Sequence, residues 1–139
     1  AFDPQTLIEA EGNLLPTARR FEEGTMNFPV IVALGESIKL INDRGVDNIA
    51  VEIKQLTDLL IDGLEECRCR VVSPREGETW SGIVSFVHPS IDSDELNAWF
   101  LERNIVTSVR NGWLRVAVHF FNDEEEIGRL LEALKSRTF

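Results

Sequence analysis

The chain has 139 residues, about the length of one domain and enough to bury a hydrophobic core. Its 14 basic and 24 acidic side chains give a net charge of -10. This charge repels phosphate backbones and anionic lipid headgroups, which argues against nucleic-acid or membrane partners. No apolar run approaches the roughly 20 residues that span a bilayer, and no signal peptide is visible, so a cytoplasmic protein is expected.

The first 28 residues carry Pro4, Gly12, Pro16 and Gly24 and have little periodicity. We interpret them as an irregular connector, with at most short helical turns near residues 6–11. The chain begins with alanine rather than methionine, so we expect it to be either processed or a piece of a larger protein.

Two helices are predicted after this connector. Pro29 suits a first helical position, and apolar residues then recur at the spacing of one helix face until Gly45. A second and longer amphipathic helix is predicted from Val46 to about Glu66.

Short segments rich in β-branched residues follow the helices. Residues 69–73 and 82–88 are each followed by a proline, and they predict a pair of strands joined by a loop. Cys67 and Cys69 are one residue apart, a spacing that suits neither a metal knuckle nor a disulfide framework. They are interpreted as structural residues or as ordinary surface thiols.

A third helix and a second strand pair come next. Asp92 and Glu95 have the spacing of a helix cap, and the helix is predicted to end near Arg103. Residues 105–110 and 113–120 predict two strands, because the Asn111-Gly112 dipeptide between them is typical of a two-residue hairpin turn.

The last helix is predicted to begin where Asn122 and Glu125 repeat the capping spacing. The element order is therefore helix, helix, strand, strand, helix, strand, strand, helix. Short connections and two hairpins favour an α+β fold, with a small, mostly antiparallel sheet of three to four strands and helices packed on one face.

The last strand has two unlike faces, because side chains alternate along a strand. One face is apolar and predicted to be core. The other carries Arg115 together with an aromatic, a small residue and an imidazole, a mixture typical of a cleft or an interface. An arginine here is either paired with one of the many acids or free to bind a carboxylate through its planar fork. The opposing side chains are Leu114, Val116, Val118 and Phe120 on the core face, and Trp113, Arg115, Ala117 and His119 on the other.

Three segments carry a resemblance to a known family: RFEEGTMNFP at residues 20–29, SGIVSF at residues 81–86, and GWLRVAVHFFNDEEEI at residues 112–127. Together and in this order they resemble the C-terminal part of class V aminotransferases, which are fold type I enzymes that use pyridoxal 5'-phosphate. The likeness runs from about Pro16 to Leu134. It implies that residues 1–28 connect to a large cofactor-binding domain and that residues 29–139 form the C-terminal small domain.

The resemblance also implies roles for individual residues. Arg115 matches the family arginine that binds the α-carboxylate of an amino-acid substrate. Thr25 matches a threonine that reaches the cofactor phosphate of the neighbouring subunit in a homodimer, with Gly24 allowing close backbone approach. His119 and Asn122 are interpreted as structural, the second as a helix cap. No catalytic residue and no metal ligand is predicted in this chain.

The lysine that forms a Schiff base with the cofactor has no counterpart here. The only lysines are Lys39, Lys54 and Lys135, all in predicted helices. The resemblance thus implies that the large domain holds the cofactor and that this chain alone is inactive.

The reaction type is constrained by the hairpin before Arg115. A cysteine desulfurase needs a nucleophilic cysteine shortly before this arginine, and residues 105–114 contain none. The resemblance therefore favours the aminotransferase, epimerase or kynureninase-like branch over the cysteine desulfurases. Transamination, epimerisation and elimination stay open.

Two alternatives to an enzyme domain are weighed. One is a non-catalytic α+β module whose polar sheet face docks a partner protein, and the other is a module that senses small molecules. The docking module would be independent of pyridoxal phosphate, and titration with amino acids would separate the sensing module from it.

Overall fold

The computed structural model describes residues 17–21, 24–77 and 79–138. The chain divides into two units, residues 1–40 and 41–139. In the first, a short 3-10 helix spans Ala18–Phe21, and the predicted turns near residues 6–11 lie outside the described residues. Helix α1 (Phe28–Arg44) begins beside Pro29 as expected, and it has no buried side chain. Asn27 accepts a hydrogen bond from Val30 N at its first turn.

The second unit holds the remaining regular structure of the described residues. Its helices follow the expected order, and Asp92 caps the third by accepting hydrogen bonds from Asp94 N and Glu95 N. The elements in chain order are α2 (Val46–Glu66), β1 (Arg70–Val71), β2 (Ile83–Val87), α3 (Ser93–Leu101), β3 (Ser108–Arg110), β4 (Trp113–Ala117) and α4 (Glu124–Thr138).

The four strands form one antiparallel sheet in the order β1-β2-β4-β3. Helix α2 packs against β1 and β2, α3 packs against β3 and β4, and α4 packs against α2. The indole N–H of Trp99 in α3 donates to the Ala133 carbonyl in α4 at 3.1 Å, which ties these helices together. The predicted α+β fold, with a small antiparallel sheet and helices on one face, is confirmed.

The core lies between this helical layer and the inner face of the sheet. Phe86, Leu114 and Phe100 are fully buried there, in agreement with the predicted core face of the last strand. Cys67 and Cys69 belong to the same cluster, so the interpretation as surface thiols is wrong and the structural one holds. Their short thiol side chains fill space between α2 and β1 as small hydrophobic groups do.

The last strand is shorter than predicted and ends at Ala117. Beyond it Asn122 folds back, and its side-chain Oδ1 accepts a hydrogen bond from His119 N at 2.8 Å. Among the described hydrogen bonds no N–H of α4 donates to that oxygen, so Asn122 does not cap α4, and this prediction is wrong by one residue. Asp123 and Glu126 form the capping pair instead, each accepting a hydrogen bond from the other's backbone N–H.

His88 is the last residue of the predicted strand 82–88 and stands just before Pro89, so the sequence alone predicts an exposed strand end there, and this prediction is wrong. His88 is buried, and its Nδ1 accepts hydrogen bonds from Ser90 N and Ile91 N at 3.2 and 3.1 Å. The ring thus shapes the turn between β2 and α3, and burial lowers its pKa. None of the helices described here is long and apolar enough to cross a membrane.

Candidate functional site

The outer face of the sheet, turned away from α2, α3 and α4, is basic. We call it the open face and define it by the strand residues on that side. Acids outnumber bases in the whole chain, yet the three charged residues of this face are all arginines. The face therefore carries no carboxylate. The face consists of Arg70, Ile83, Ser85, Val87, Ser108, Arg110, Trp113, Arg115 and Ala117.

Arg115 lies on β4, one of the two central strands, and is half-buried. Its neighbours along the strand, Leu114 and Val116, point into the core and hold the backbone in place. Within the described residues the guanidinium makes no hydrogen bond and no ion pair. Of the two interpretations of this arginine, an internal ion pair is therefore wrong for the described chain.

The residues beside Arg115 are serines. Ser85 on β2 and Ser108 on β3 are both paired with Arg115 in the register of the sheet. Sequence reasoning missed both, although the Asn111-Gly112 hairpin fixes the second pairing. Trp113, two positions before Arg115 on the same face, is 39% exposed. Arg115 is thus flanked by small polar groups across the sheet and by an aromatic ring along its own strand.

Gly24 and Thr25 lie in the first unit, in a bend shortly before α1. Thr25 is exposed, and Gly24 has a φ of 119° that side-chain-bearing residues rarely adopt. Apart from its chain neighbours, no atom of the described residues lies within 4 Å of where a Cβ on Gly24 would stand. This bend presents a hydroxyl and backbone N–H groups ahead of a helix, an arrangement compatible with a phosphate ligand.

The three lysines show no feature of a Schiff-base residue. Lys54 pairs with Asp58 at 2.5 Å, and Lys135 pairs with Glu66 at 2.9 Å. The second pair raises the pKa of Lys135, which keeps the amine protonated and unsuited to attack a carbonyl. Lys39 is exposed on α1. Arg115 and the bend at Gly24 and Thr25 are chemically suited to contact a carboxylate and a phosphate, and none of the three lysines is suited to covalent attachment of a cofactor.

The two thiols are unsuited to nucleophilic chemistry. Burial, helped by the neighbouring Cys67, raises the pKa of Cys69 to about 12, and burial also raises the pKa of Cys67. A thiol acts as a nucleophile only as its thiolate. No group of cysteine, histidine and acidic side chains able to hold a metal ion occurs among the described residues.

Comparison with known proteins assigns the chain to a family. Residues 6–130 match the aminotransferase class-V family, which is nine-tenths of the chain and includes all three segments quoted above. The chain belongs to the class V aminotransferase family. Pyridoxal phosphate is the cofactor of this family, and a similar solved structure, a mutant of C-DES, has glycine covalently linked to that cofactor.

Curated relatives in this family carry two kinds of name. A probable cysteine desulfurase of Pyrococcus abyssi (strain GE5 / Orsay) is 27% identical over 129 residues, covering 84% of this chain and 32% of that protein. An uncharacterized aminotransferase of Schizosaccharomyces pombe (strain 972 / ATCC 24843) is 22% identical over 136 residues, covering 96% of this chain and 33% of that protein. The expected separation from the cysteine desulfurases is therefore not confirmed, since the first relative bears that name.

Solved structures share the fold. The apo cysteine desulfurase from Thermococcus onnurineus NA1 superposes with a TM-score of 0.81 at 24% identity, covering 87% of this chain and 34% of that one. A complex of the cystine C-S lyase C-DES with cysteine persulfide gives a TM-score of 0.74 at 24% identity, covering 84% of this chain and 31% of that one. The chain thus spans about a third of the length of the family members it matches.

Proposed function

We propose that this chain is the C-terminal small domain of a pyridoxal-phosphate-dependent enzyme that acts on an amino acid, and that Arg115 binds the substrate's α-carboxylate. In this proposal residues 1–28 connect to a large cofactor-binding domain of the same polypeptide, and residues 29–139 form the small domain. The chain alone is inactive because it supplies no Schiff-base lysine. The observation that carries the proposal is a half-buried guanidinium without a partner in the described chain, on a sheet face that bears no acid.

The charge pattern of the open face supports this role. An arginine offers two parallel N–H donors that match the two oxygens of a carboxylate, and it stays charged at physiological pH. Partial burial limits competition from water, which strengthens such a pair. Because the strand residues of this face include no acid, an incoming carboxylate meets attraction from their arginines and no competing carboxylate among them.

The cofactor itself supplies the electron sink that makes bonds at the substrate's α carbon labile. The residues of this chain act around it. Arg115 holds the carboxylate and thereby orients the α carbon, while Thr25 donates its hydroxyl hydrogen to the cofactor phosphate of the partner subunit in a homodimer. Gly24, at a φ of 119°, brings the backbone close to that phosphate.

The test uses the full-length enzyme and two probes, glycine and glycinamide, which differ only at the carboxylate. Their dissociation constants are measured from the change in the cofactor's visible absorption. Arg115→Ala is expected to weaken glycine binding by about a hundredfold, since a charge-assisted bidentate pair is worth about 3 kcal/mol. Glycinamide binding and the dissociation constant of pyridoxal phosphate should change less than threefold, and Arg129→Ala on the exposed face of α4 serves as the control.

Equal weakening of glycine and cofactor binding by Arg115→Ala would reject the clamp. Retention of full glycine affinity would reject it as well. In either case the open face would be better explained as an interaction surface, and the enzyme assignment would rest on the family match alone.

Elimination at a carbon–sulfur bond is a second candidate for the reaction, favoured by the relatives named cysteine desulfurase and by the similar cystine C-S lyase. We propose that if sulfur leaves the substrate, it is not taken up by a cysteine of this chain. Cys67 and Cys69 are buried with raised pKa values, and the β3–β4 hairpin contains no cysteine. Transamination and epimerisation are equally compatible with the arrangement around Arg115.

A further inference from the structure

The hydroxyl groups of the eight serines, all within the described residues, fall into two groups. Six take part in a hydrogen bond inside the chain. They are Ser37, Ser73, Ser81, Ser90, Ser93 and Ser136. The hydroxyls of Ser85 and Ser108 make no hydrogen bond within the described chain, and both serines are half-buried. These two are the serines that flank Arg115.

The register of the sheet sets this arrangement. Ser85 on β2 and Ser108 on β3 each pair directly with Arg115 on the strand between them. Side chains that are directly opposite in an antiparallel pair have Cβ atoms about 4.5–5.5 Å apart. The three residues therefore form a row across the open face, with Arg115 on the middle strand and a serine on each neighbouring strand.

The backbone around each serine is fixed, so the hydroxyl is the group left for a ligand. Ser85 N donates to Ser73 Oγ at 2.8 Å, and Ser85 O accepts from Val72 N at 2.8 Å. Beside Ser108, Thr107 uses its own hydroxyl to donate to Asn97 Oδ1 at 2.6 Å, which anchors the end of β3 to α3. The Thr107 hydroxyl, on the helix side of β3, is thus occupied, whereas the Ser108 hydroxyl on the open face has no partner within the described chain.

We propose that Ser85, Arg115 and Ser108 form one carboxylate site, in which the two hydroxyls donate to the oxygens that the guanidinium grips. This inference rests on the proposed role of Arg115. A carboxylate has two oxygens and about four lone-pair positions. A bidentate arginine uses one position on each oxygen, and one hydroxyl on each side fills a second. The row therefore matches the acceptor capacity of a single carboxylate.

Two lateral donors add orientation to the attraction that the arginine supplies. A bidentate guanidinium engages one acceptor position on each oxygen of the carboxylate, and a hydroxyl at each end adds a second donor to each oxygen. The α carbon attached to that carboxylate then has one position relative to the sheet. Ser85 and Ser108 are in this sense specificity residues for an α-carboxylate over a carboxamide, whose NH₂ group cannot accept these hydrogen bonds.

The experiment compares matched variants of the full-length enzyme. Ser85→Thr and Ser108→Thr keep a hydroxyl, while Ser85→Val and Ser108→Val have nearly the same shape without one, and both replacement types suit a strand. Glycine and glycinamide are the probes. Each valine variant should bind glycine about tenfold more weakly than its threonine counterpart, the value of one hydrogen bond to a charged group. Glycinamide should bind the threonine variant and the valine variant of each serine with the same affinity.

The outcomes separate this inference from the clamp itself. If threonine and valine variants bind glycine alike while Arg115→Ala still loses it, the serine site is wrong and the proposed function stands. If neither the serine variants nor Arg115→Ala alters the preference for glycine over glycinamide, or if the unaltered enzyme shows no such preference, both are wrong. Should a valine variant fail to fold, Ser85→Ala and Ser108→Ala give the same comparison without the branched side chain.

Discussion

Arg115 stands opposite Ser108 at the third residue pair from the Asn111-Gly112 turn. Both turn residues have positive φ, 53° and 77°, the geometry of a tight turn whose twist matches that of the flanking strands. The turn therefore decides which side chain lies beside the guanidinium. A slip of one residue would exchange Ser108 for a residue of the opposite face.

Substitution of Gly112 tests this dependence. Gly112→Val places a β-branched residue at a φ of 77°, and we expect a loss of about 1–2 kcal/mol in the free energy of unfolding. Because the register loosens, glycine affinity should fall as well. Asn111→Gly relieves the other positive-φ position and should change neither quantity appreciably. Denaturant unfolding and glycine titration of the full-length enzyme check both effects, and an unchanged Gly112→Val protein would show that the turn does not set the register.

Local patterns predicted what depends on neighbours in sequence. The Asn111-Gly112 turn, the Asp92 cap and the helix spacing each indicated the correct element. Ser108 could have been found by counting back from the turn, because a two-residue hairpin fixes every pair along it. Ser85 could not, since its pairing with Arg115 joins β2 to β4 across the intervening helix α3.

Burial and competition between partners explain the wrong predictions. His88 looks like a strand terminus in sequence, and only the fold of the turn after it reveals that its ring accepts two backbone N–H groups. Asn122 and Asp123 are both good capping residues. The sequence does not say which of them is used, and the contact from His119 N to Asn122 decides it.

Two glycines allow close packing, and they should differ in their tolerance of alanine. A Cβ on Gly82 would lie 2.6 Å from the backbone oxygen of Val118, which cannot move without displacing the chain beyond β4. A Cβ on Gly63 would lie 2.3 and 2.6 Å from the two terminal methyls of Leu131, a side chain that can move by changing rotamer without displacing the backbone.

Gly82→Ala is therefore expected to lower the free energy of unfolding by about 2–3 kcal/mol. Gly63→Ala should cost about 1 kcal/mol or less, because alanine gains roughly 1 kcal/mol of helix propensity in α2. Thermal or denaturant unfolding of the two variants gives the comparison. If Gly63→Ala is the more destabilising variant, the Leu131 side chain yields less easily to an added Cβ than the backbone at Val118 does.

Because the Cys69 thiol is buried, we expect the free energy of unfolding to depend on pH. The pKa of Cys69 is raised to about 12 in the fold, against 9.0 for an unperturbed thiol. Between these values the unfolded chain binds fewer protons than the folded one, so stability is fully present below about pH 9 and declines as pH rises toward 12. The slope contributed by this group reaches about 1.4 kcal/mol per pH unit.

Cys69→Ala removes this contribution, although it lowers stability at every pH by leaving a small cavity. The difference in unfolding free energy between the original protein and the variant should therefore shrink as pH rises from about 8 to about 10.5. Denaturant titrations at the two pH values measure it. A constant difference would mean that Cys69 does not keep its proton over this range.

Sulfur chemistry gives a prediction about the same thiols. If the full-length enzyme releases sulfur from L-cysteine or L-cystine, neither Cys67 nor Cys69 should become a persulfide, because both are buried and protonated. Alkylation followed by peptide mass spectrometry detects such a modification. The Cys67→Ala variant should retain at least half of the sulfide release. Persulfide on either residue would assign sulfur transfer to this domain.

The role proposed for Thr25 implies an active site shared between two subunits of the full-length enzyme. Thr25→Val removes the hydroxyl while keeping the shape, and we expect the dissociation constant of pyridoxal phosphate to rise about tenfold, the value of one hydrogen bond to a charged group. Thr17→Val is the control, since Thr17 is another exposed threonine of the first unit. Cofactor binding is followed by absorption or by dialysis.

A mixed dimer shows which subunit the hydroxyl serves. One subunit carries Thr25→Val, and the other carries a substitution of the Schiff-base lysine in its large domain. If Thr25 acts on the neighbouring site, one site of the mixed dimer combines an intact lysine with an intact Thr25 and binds the cofactor as tightly as the original enzyme. If Thr25 acts within its own subunit, neither site is intact, and the tight-binding fraction disappears. Since the two arrangements differ in the presence of an intact site, a single titration of purified mixed dimers decides between them.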